Sequence, residues 1–197
     1  NGQYELAGLA PGSYLLGHTV PVSWEQTSPK NLDFELSRTN GVGDRPSDVV
    51  SGDLNDDGHA DVVVTNFGDG TISVMLGDGT VDLGAASTVN IGLGPVAVTL
   101  ADLDDDGALD IITANEAGDT LSVLTNDGNA AFTLSATLSV GDKPSDVIAR
   151  DVDGDGDLDL IATNATDATF SLFRNDGSGG FGSEEITSVP SSSTSPA

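Results

Sequence analysis

DLNDDGHADVVVTN, residues 53–66, packs four carboxylates into its first nine residues and then runs directly into a β-branched apolar stretch. At neutral pH those carboxylates repel one another, so a folded chain needs a reason to gather them. Oxygen-bearing side chains occupy the first, third, fifth and ninth positions (Asp53, Asn55, Asp57 and Asp61), and the sixth is Gly58. Hard cations such as calcium take about six to eight oxygen ligands, and a tight loop can offer them from alternate residues. Glycine at the sixth position tolerates backbone angles that a side chain disfavours. The pattern returns as DLDDDGALDIITAN at 102–115 and as DVDGDGDLDLIATN at 151–164, with starts 49 residues apart both times.

That period extends well outside the acidic loops. Pro46, Pro95 and Pro144 match, as do Val49, Val98 and Val147, and Asn66, Asn115 and Asn164. Thr71, Thr120 and Thr169 recur, then Ser73, Ser122 and Ser171, then Asp-Gly at 78–79, 127–128 and 176–177. The chain therefore holds three tandem units, about 43–91, 92–140 and 141–189, within a repeat region of 41–190. Each unit reads as four short strands, in the first at 47–52, 61–66, 71–76 and about 85–91. Ile72, Val74 and Leu76 fall on one side of the third strand, and Asp78-Gly79 is a hairpin signal. The second strand is apolar on both faces and must be covered on both, so each sheet should stack between neighbours. No stretch has helical periodicity. Four-stranded sheets recurring every ~40–50 residues are the mark of propeller blades, so the expected fold is all-β, with three tandem four-stranded propeller-type blades.

The D-x-[DN]-x-D-G-x-x-D loop followed by a V/I-rich strand resembles the FG-GAP/VCBS repeat, which includes the calcium-bearing blades of integrin α-subunit propellers. The likeness covers about 43–189 and implies a blade whose first two strands are joined by a calcium loop. It assigns ligand roles to Asp53, Asn55, Asp57 and Asp61, to Asp102, Asp104, Asp106 and Asp110, and to Asp151, Asp153, Asp155 and Asp159. At the seventh position His59, Ala108 and Asp157 would each contribute a backbone carbonyl, giving three calcium sites. Family members commonly have about seven blades, and a closed propeller usually needs at least four. Three repeats leave open a longer array, completion by another subunit, or an unclosed stack.

Competing readings of the loops are weaker. One Asp/Gly-rich stretch is an ordinary turn composition, but three in-register copies keeping every odd position are not. An EF-hand wants Glu at its twelfth position, where this chain has Val64, Thr113 and Ala162 inside strands. Zinc favours His or Cys, and magnesium rarely uses an all-protein cage. A ligand at a hundred times its dissociation constant stabilises by about 2.7 kcal/mol per site, against a domain total of about 5–15 kcal/mol. Calcium therefore reads as a structural staple.

Lys and Arg total 6 against 32 Asp and Glu, for a net charge of −26. That sign disfavours nucleic acid and anionic membrane surfaces, and no apolar run approaches a membrane span. Eleven Asp residues lie at ligand positions, so three divalent ions would cancel six charges. The chain lacks cysteine, which removes disulfides and thiolate zinc sites. It starts at Asn1 without a signal-like stretch, so it is expected to be processed or a fragment.

Residues 1–40 do not follow the repeat. Their pattern G-x-Y-x-x-x-x-L-x-P-G-x-Y, with Trp24 and NLDFELS at 31–37, resembles the C-terminal half of prealbumin-like, Cna-B-type surface domains. That likeness implies a partial β-sandwich whose exposed edge could recruit a strand. Residues 191–197 read as a flexible tail. His18 and His59 lack a motif-set catalytic partner, and no G-x-S-x-G is present. The expected function is non-catalytic: a calcium-binding structural or adhesive protein, extracellular or at the cell surface, contacting other surface proteins or copies of itself in a ring or filament. Two alternatives stand beside it. A lectin-like propeller would bind glycans, although the repeats carry Phe67, Phe132, Phe170, Phe173 and Phe181 but no Trp or Tyr. An accessory module would serve a larger secreted enzyme.

Overall fold

Turn residues at a fixed place in each cycle divide the chain into short strands, and the computed structural model describes residues 40–80 and 83–188. Among these there are twelve strands and no helix. The first repeat forms β1 (Pro46–Gly52), β2 (Asp61–Asn66), β3 (Thr71–Met75) and β4 (Ser87–Asn90). The second forms β5 (Pro95–Ala101), β6 (Asp110–Asn115), β7 (Thr120–Asn126) and β8 (Phe132–Ser139). The third forms β9 (Pro144–Arg150), β10 (Asp159–Asn164), β11 (Thr169–Phe173) and β12 (Glu185–Ser188). Each repeat is one four-stranded antiparallel meander paired in chain order. The all-β expectation and the four strands per repeat are therefore observed. Residues 1–39 of the partial sandwich expected at 1–40, and the whole tail expected at 191–197, lie outside the described residues.

Register explains several of the recurring residues. Proline has no amide to donate to a ladder, and the β1–β2 and β5–β6 pairings slip just after Pro46 and Pro95. The asparagine ending each second strand turns its Nδ2 onto the third strand. Asn66 donates to Thr71 and Ser73 Oγ, both at 3.0 Å. Asn115 does the same to Thr120 and Ser122, and Asn164 to Thr169 and Ser171. These side chains are buried, so their donors need partners within the protein; among the described residues Asn164 Oδ1 is left without one.

The core lies between the sheets. One cluster joins the first and second, with Leu54, Val63, Ile72 and Val74 against Val98, Ile111 and Leu124. The other joins the second and third, with Leu103, Ile112, Leu121 and Val123 against Val147, Leu160 and Phe173. The central sheet is covered on both faces, and β6 is buried along its whole length. In the first sheet Val62 and Val64 of β2 are only half-buried. Leu76 departs from its expected place: β3 ends at Met75, and Leu76 is exposed beyond it.

Candidate metal centre

Each acidic loop joins the first two strands of its sheet, and its ninth residue anchors it. Asp61, Asp110 and Asp159 open β2, β6 and β10 and are fully buried. Asp61 accepts the Leu54 amide on one carboxylate oxygen and the Gly77 amide on the other, both at 2.8 Å. Asp110 takes the amides of Leu103 and Asn126, and Asp159 those of Val152 and Asn175. Each ninth-position carboxylate thus ties the start of its loop to the turn after the third strand.

The first position organises the loop interior. Asp53 accepts the Gly58 amide at 2.8 Å and the Asp57 amide at 3.2 Å. Asp102 accepts from Gly107 and Asp106, and Asp151 from Gly156 and Gly154. Desolvation pushes Asp53 up, yet the amides of Gly58, Asn55, Asp57 and Asp56 together hold it below the ordinary carboxylate range. The fifth position accepts from the seventh: His59, Ala108 and Asp157 each donate a backbone amide to Asp57, Asp106 and Asp155. His59 itself is exposed.

Two residues per loop adopt left-handed backbone. Gly58, Gly107 and Gly156 do so at the sixth position, with φ of 83°, 91° and 104°. At the fourth, Asp56 and Asp105 have φ of 56° and 58°, and the third loop has Gly154 there. A Cβ added to Gly58, Gly107 or Gly156 would meet nothing within 4 Å, so conformation rather than space calls for glycine.

Carboxylates converge where the spacing places them. In the second loop Asp102, Asp104 and Asp106 each bring an oxygen within 4.8 Å of the others. In the third loop the converging set is Asp151, Asp153 and Asp159, with Asp155 outside it. The first loop has Asn55 at the third position; its Nδ2 donates to Asp57 at 3.0 Å. Burial first, and crowding of like charge after it, raise two of these carboxylates. Burial, reinforced by Asp104 and Asp106, pushes Asp110 up to about 6 despite its two backbone amides. Burial and then Asp155, Asp151, Asp105 and Asp159 push Asp157 up. Among the described residues, Asp104 Oδ1 is buried and has no hydrogen-bond partner. An all-oxygen donor set with an orphaned carboxylate oxygen and mutual repulsion fits a hard divalent cation. Zinc would want nitrogen or sulfur donors, which these clusters do not offer.

Two features of the site are absent from the sequence reading. Arg174 places NH1 2.5 Å from Asp153 Oδ2 and Nε 3.1 Å from Glu185, so the third loop already faces one fixed cation. Asn126 and Asn175, each just before an Asp-Gly turn, reach back to the neighbouring loop. Asn126 Nδ2 donates to the Leu54 carbonyl at 2.8 Å, and Asn175 Nδ2 to the Leu103 carbonyl at 2.7 Å. Asn at 126 and 175 against Gly77 was the available signal: a register position that is filled only where another sheet precedes.

A family model for FG-GAP-like repeats matches residues 53–113 and again 102–162. No curated protein matches the sequence. Among solved structures, an Agrocybe aegerita lectin described as recognising non-reducing terminal N-acetylglucosamine is similar over 71% of this chain, at 21% identity and TM-score 0.47. The Photorhabdus luminescens Tc holotoxin pore is similar over 75% of this chain, at 18% identity and TM-score 0.43. The matched part is 37% of the lectin chain and 7% of the toxin chain.

Proposed function

The chain belongs to the FG-GAP-like repeat family, and from that premise we propose that it is a non-catalytic, calcium-stapled structural or adhesive module of the cell surface or exterior. On this reading its repeats, of the FG-GAP/VCBS type, act by presenting rigid sheet faces to other proteins, copies of itself included. The observation that carries it is the convergence of Asp102, Asp104 and Asp106 around an unpartnered buried oxygen, in a loop anchored through Asp110 to the body of the sheet.

The residues that would hold the ion are the odd-position oxygens of each loop. A bound divalent cation supplies the positive charge that offsets their repulsion. Everything else is done by the chain: the first carboxylate gathers loop amides, and the ninth locks the loop to the third-strand turn. On this reading the acidic residues hold a loop rather than carry out acid–base chemistry. The sites would then bind in the ~10⁻⁴–10⁻³ M range of extracellular calcium modules.

Calorimetric melting with calcium and with a strong chelator tests the proposal. Three sites near a hundredfold saturation would each contribute about 2.7 kcal/mol, so the melting temperature should fall by well over 10 °C on chelation. Superimposable melts, with magnesium and calcium equally without effect, would refute the staple.

A further inference from the structure

Stacking gives each sheet two unlike faces, and the 49-residue period shows what each face is built to meet. On the side facing the next sheet, Leu54 and Leu103 are equivalent, and both are at most 2% exposed. Val152 occupies that position in the third sheet and is 43% exposed. Phe170 likewise repeats the fully buried Ile72 and Leu121 but is only half-buried. On the opposite side, Val98 and Val147 pack into the preceding sheet at 8% and 3% exposure. Their equivalent in the first sheet, Val49, is 62% exposed.

The polar contacts follow the same logic. Ser47 Oγ donates to the Pro95 carbonyl at 2.6 Å, and Asp48 Oδ2 accepts the Val98 amide at 3.0 Å, fastening the second sheet onto the first. The second sheet has Val96 and Ala97 at these positions, so this polar fastening occurs once within the chain; Ser145 and Asp146 restore the pair on β9, where both are exposed.

We propose that the outer face of the third sheet, centred on Val152, docks onto the outer face of the first sheet, centred on Val49, of a second copy of this chain. The contact continues the internal stacking from one molecule to the next. The inference deepens the self-contact part of the function proposed above and rests on it. Each copy carries both halves of an apolar interface whose packing is already realised twice inside the chain. Such a head-to-tail contact is heterologous and builds open chains or rings. Two features make it weaker than the internal interfaces. Gly77 stands where Asn126 and Asn175 reach back, so that hydrogen bond is missing. A net charge of −26 also opposes association, and salt screens it. Assembly should therefore strengthen with ionic strength.

The test is sedimentation velocity of the full chain in calcium at low and high salt, with Val49→Asp and Ile148→Asp. Ile148, 45% exposed on β9, repeats Val50, which packs against the cluster between the first and second sheets, so it lies on the same outer face as Val152. Both substituted positions are exposed and lie outside the acidic loops, so the variants should melt like the parent. Self-association that rises with salt, and that each substitution weakens about tenfold or more, supports the proposal. The decisive arm mixes the two variants. One retains an intact third-sheet face and the other an intact first-sheet face, so the mixture should form a dimer that grows no further. Association untouched by either substitution would remove this interface while leaving self-contact standing. Association lost with Ile148→Asp but kept with Val49→Asp would replace it with a symmetric back-to-back contact. A wild type that is monomeric under all conditions, yet melts in a calcium-dependent way, would overturn both the interface and self-contact without touching the calcium staple.

Discussion

Replacing Asn175 with alanine tests whether the sheets are latched through single side chains, and the surrounding bonds set the magnitude. Asn175 Nδ2 donates to the Leu103 carbonyl at 2.7 Å and to the Leu158 carbonyl at 3.2 Å, while its Oδ1 accepts the Gly177 amide at 3.2 Å. The side chain is 6% exposed, so water is poorly placed to substitute. Among the described residues no other group donates to the Leu103 carbonyl. A lost hydrogen bond is worth about 1 kcal/mol net, and a buried acceptor left unpaired costs about 1–3 kcal/mol. Asn126 is equivalent by repeat but not by consequence, because the Leu54 carbonyl also accepts the Ala130 amide at 3.2 Å. We expect Asn175→Ala to cost about 2–3 kcal/mol and Asn126→Ala about 1 kcal/mol. For a domain of this size that is a drop of about 5–10 °C for the first and about 2–4 °C for the second. Calorimetry and urea unfolding at one fixed calcium concentration would measure both, since ligand binding itself moves the midpoint. Equal losses at the two sites, or an Asn175→Ala protein within about 0.5 kcal/mol of wild type, would refute the latch.

The further predictions concern the loops. Asp110 in the folded protein sits near 6, above its ordinary 3.8. In chelator the folded state therefore holds a proton that the unfolded chain releases, and this group's contribution to stability declines as pH rises from about 4 to about 6. Calcium should expel that proton, so titrations near pH 6 in buffers of different ionisation enthalpy should show a release of about half a proton, vanishing by pH 8. Gly107→Ala keeps every contact but forces a side chain into φ of 91°, so urea unfolding should show a loss of about 1–2 kcal/mol. Asp105→Gly, which copies Gly154, should be neutral or stabilising in the same assay.

What the sequence makes legible here is whatever repeats at equivalent positions. The period alone places β1 to β12 within a residue or two, because a hairpin signal and a proline recur in each cycle. It also places the fully buried Asp61, Asp110 and Asp159, whose spacing from the first carboxylate is fixed by loop closure. Periodicity reports equivalence, however, and not contact. Asn126 bonds to Leu54 across 72 positions, an offset that is no multiple of 49. Only the stacking of one sheet on the next brings them together. Arg174 is invisible for the opposite reason: its repeat equivalents, Leu76 and Thr125, carry no charge, so nothing marks it as the partner of Asp153. Leu76 continues the alternation of Ile72 and Val74 by pattern, yet its place is exposed because the strand has already given way to the turn that Gly77 and Asp61 fasten.

The same distinction explains why the ends of the stack carry the information about partners. In the interior of a repeat array each face is explained by its neighbour, and conserved spacing merely restates the fold. At the two outer faces the pattern persists without a neighbouring sheet among the described residues. Val152 and Val49 are apolar although solvent touches them, and Ser145 and Asp146 retain groups whose counterparts on β1 bind the next sheet. A sequence free to make those faces polar would lose nothing in stability there, since a sheet face that nothing covers gains no burial from being apolar. Gly77 shows that repeat positions do diverge when their contact is missing. On the interface proposed above, retention on the third sheet and loss at Gly77 give the contact a direction, with the third-sheet face of one copy receiving the first-sheet face of the next.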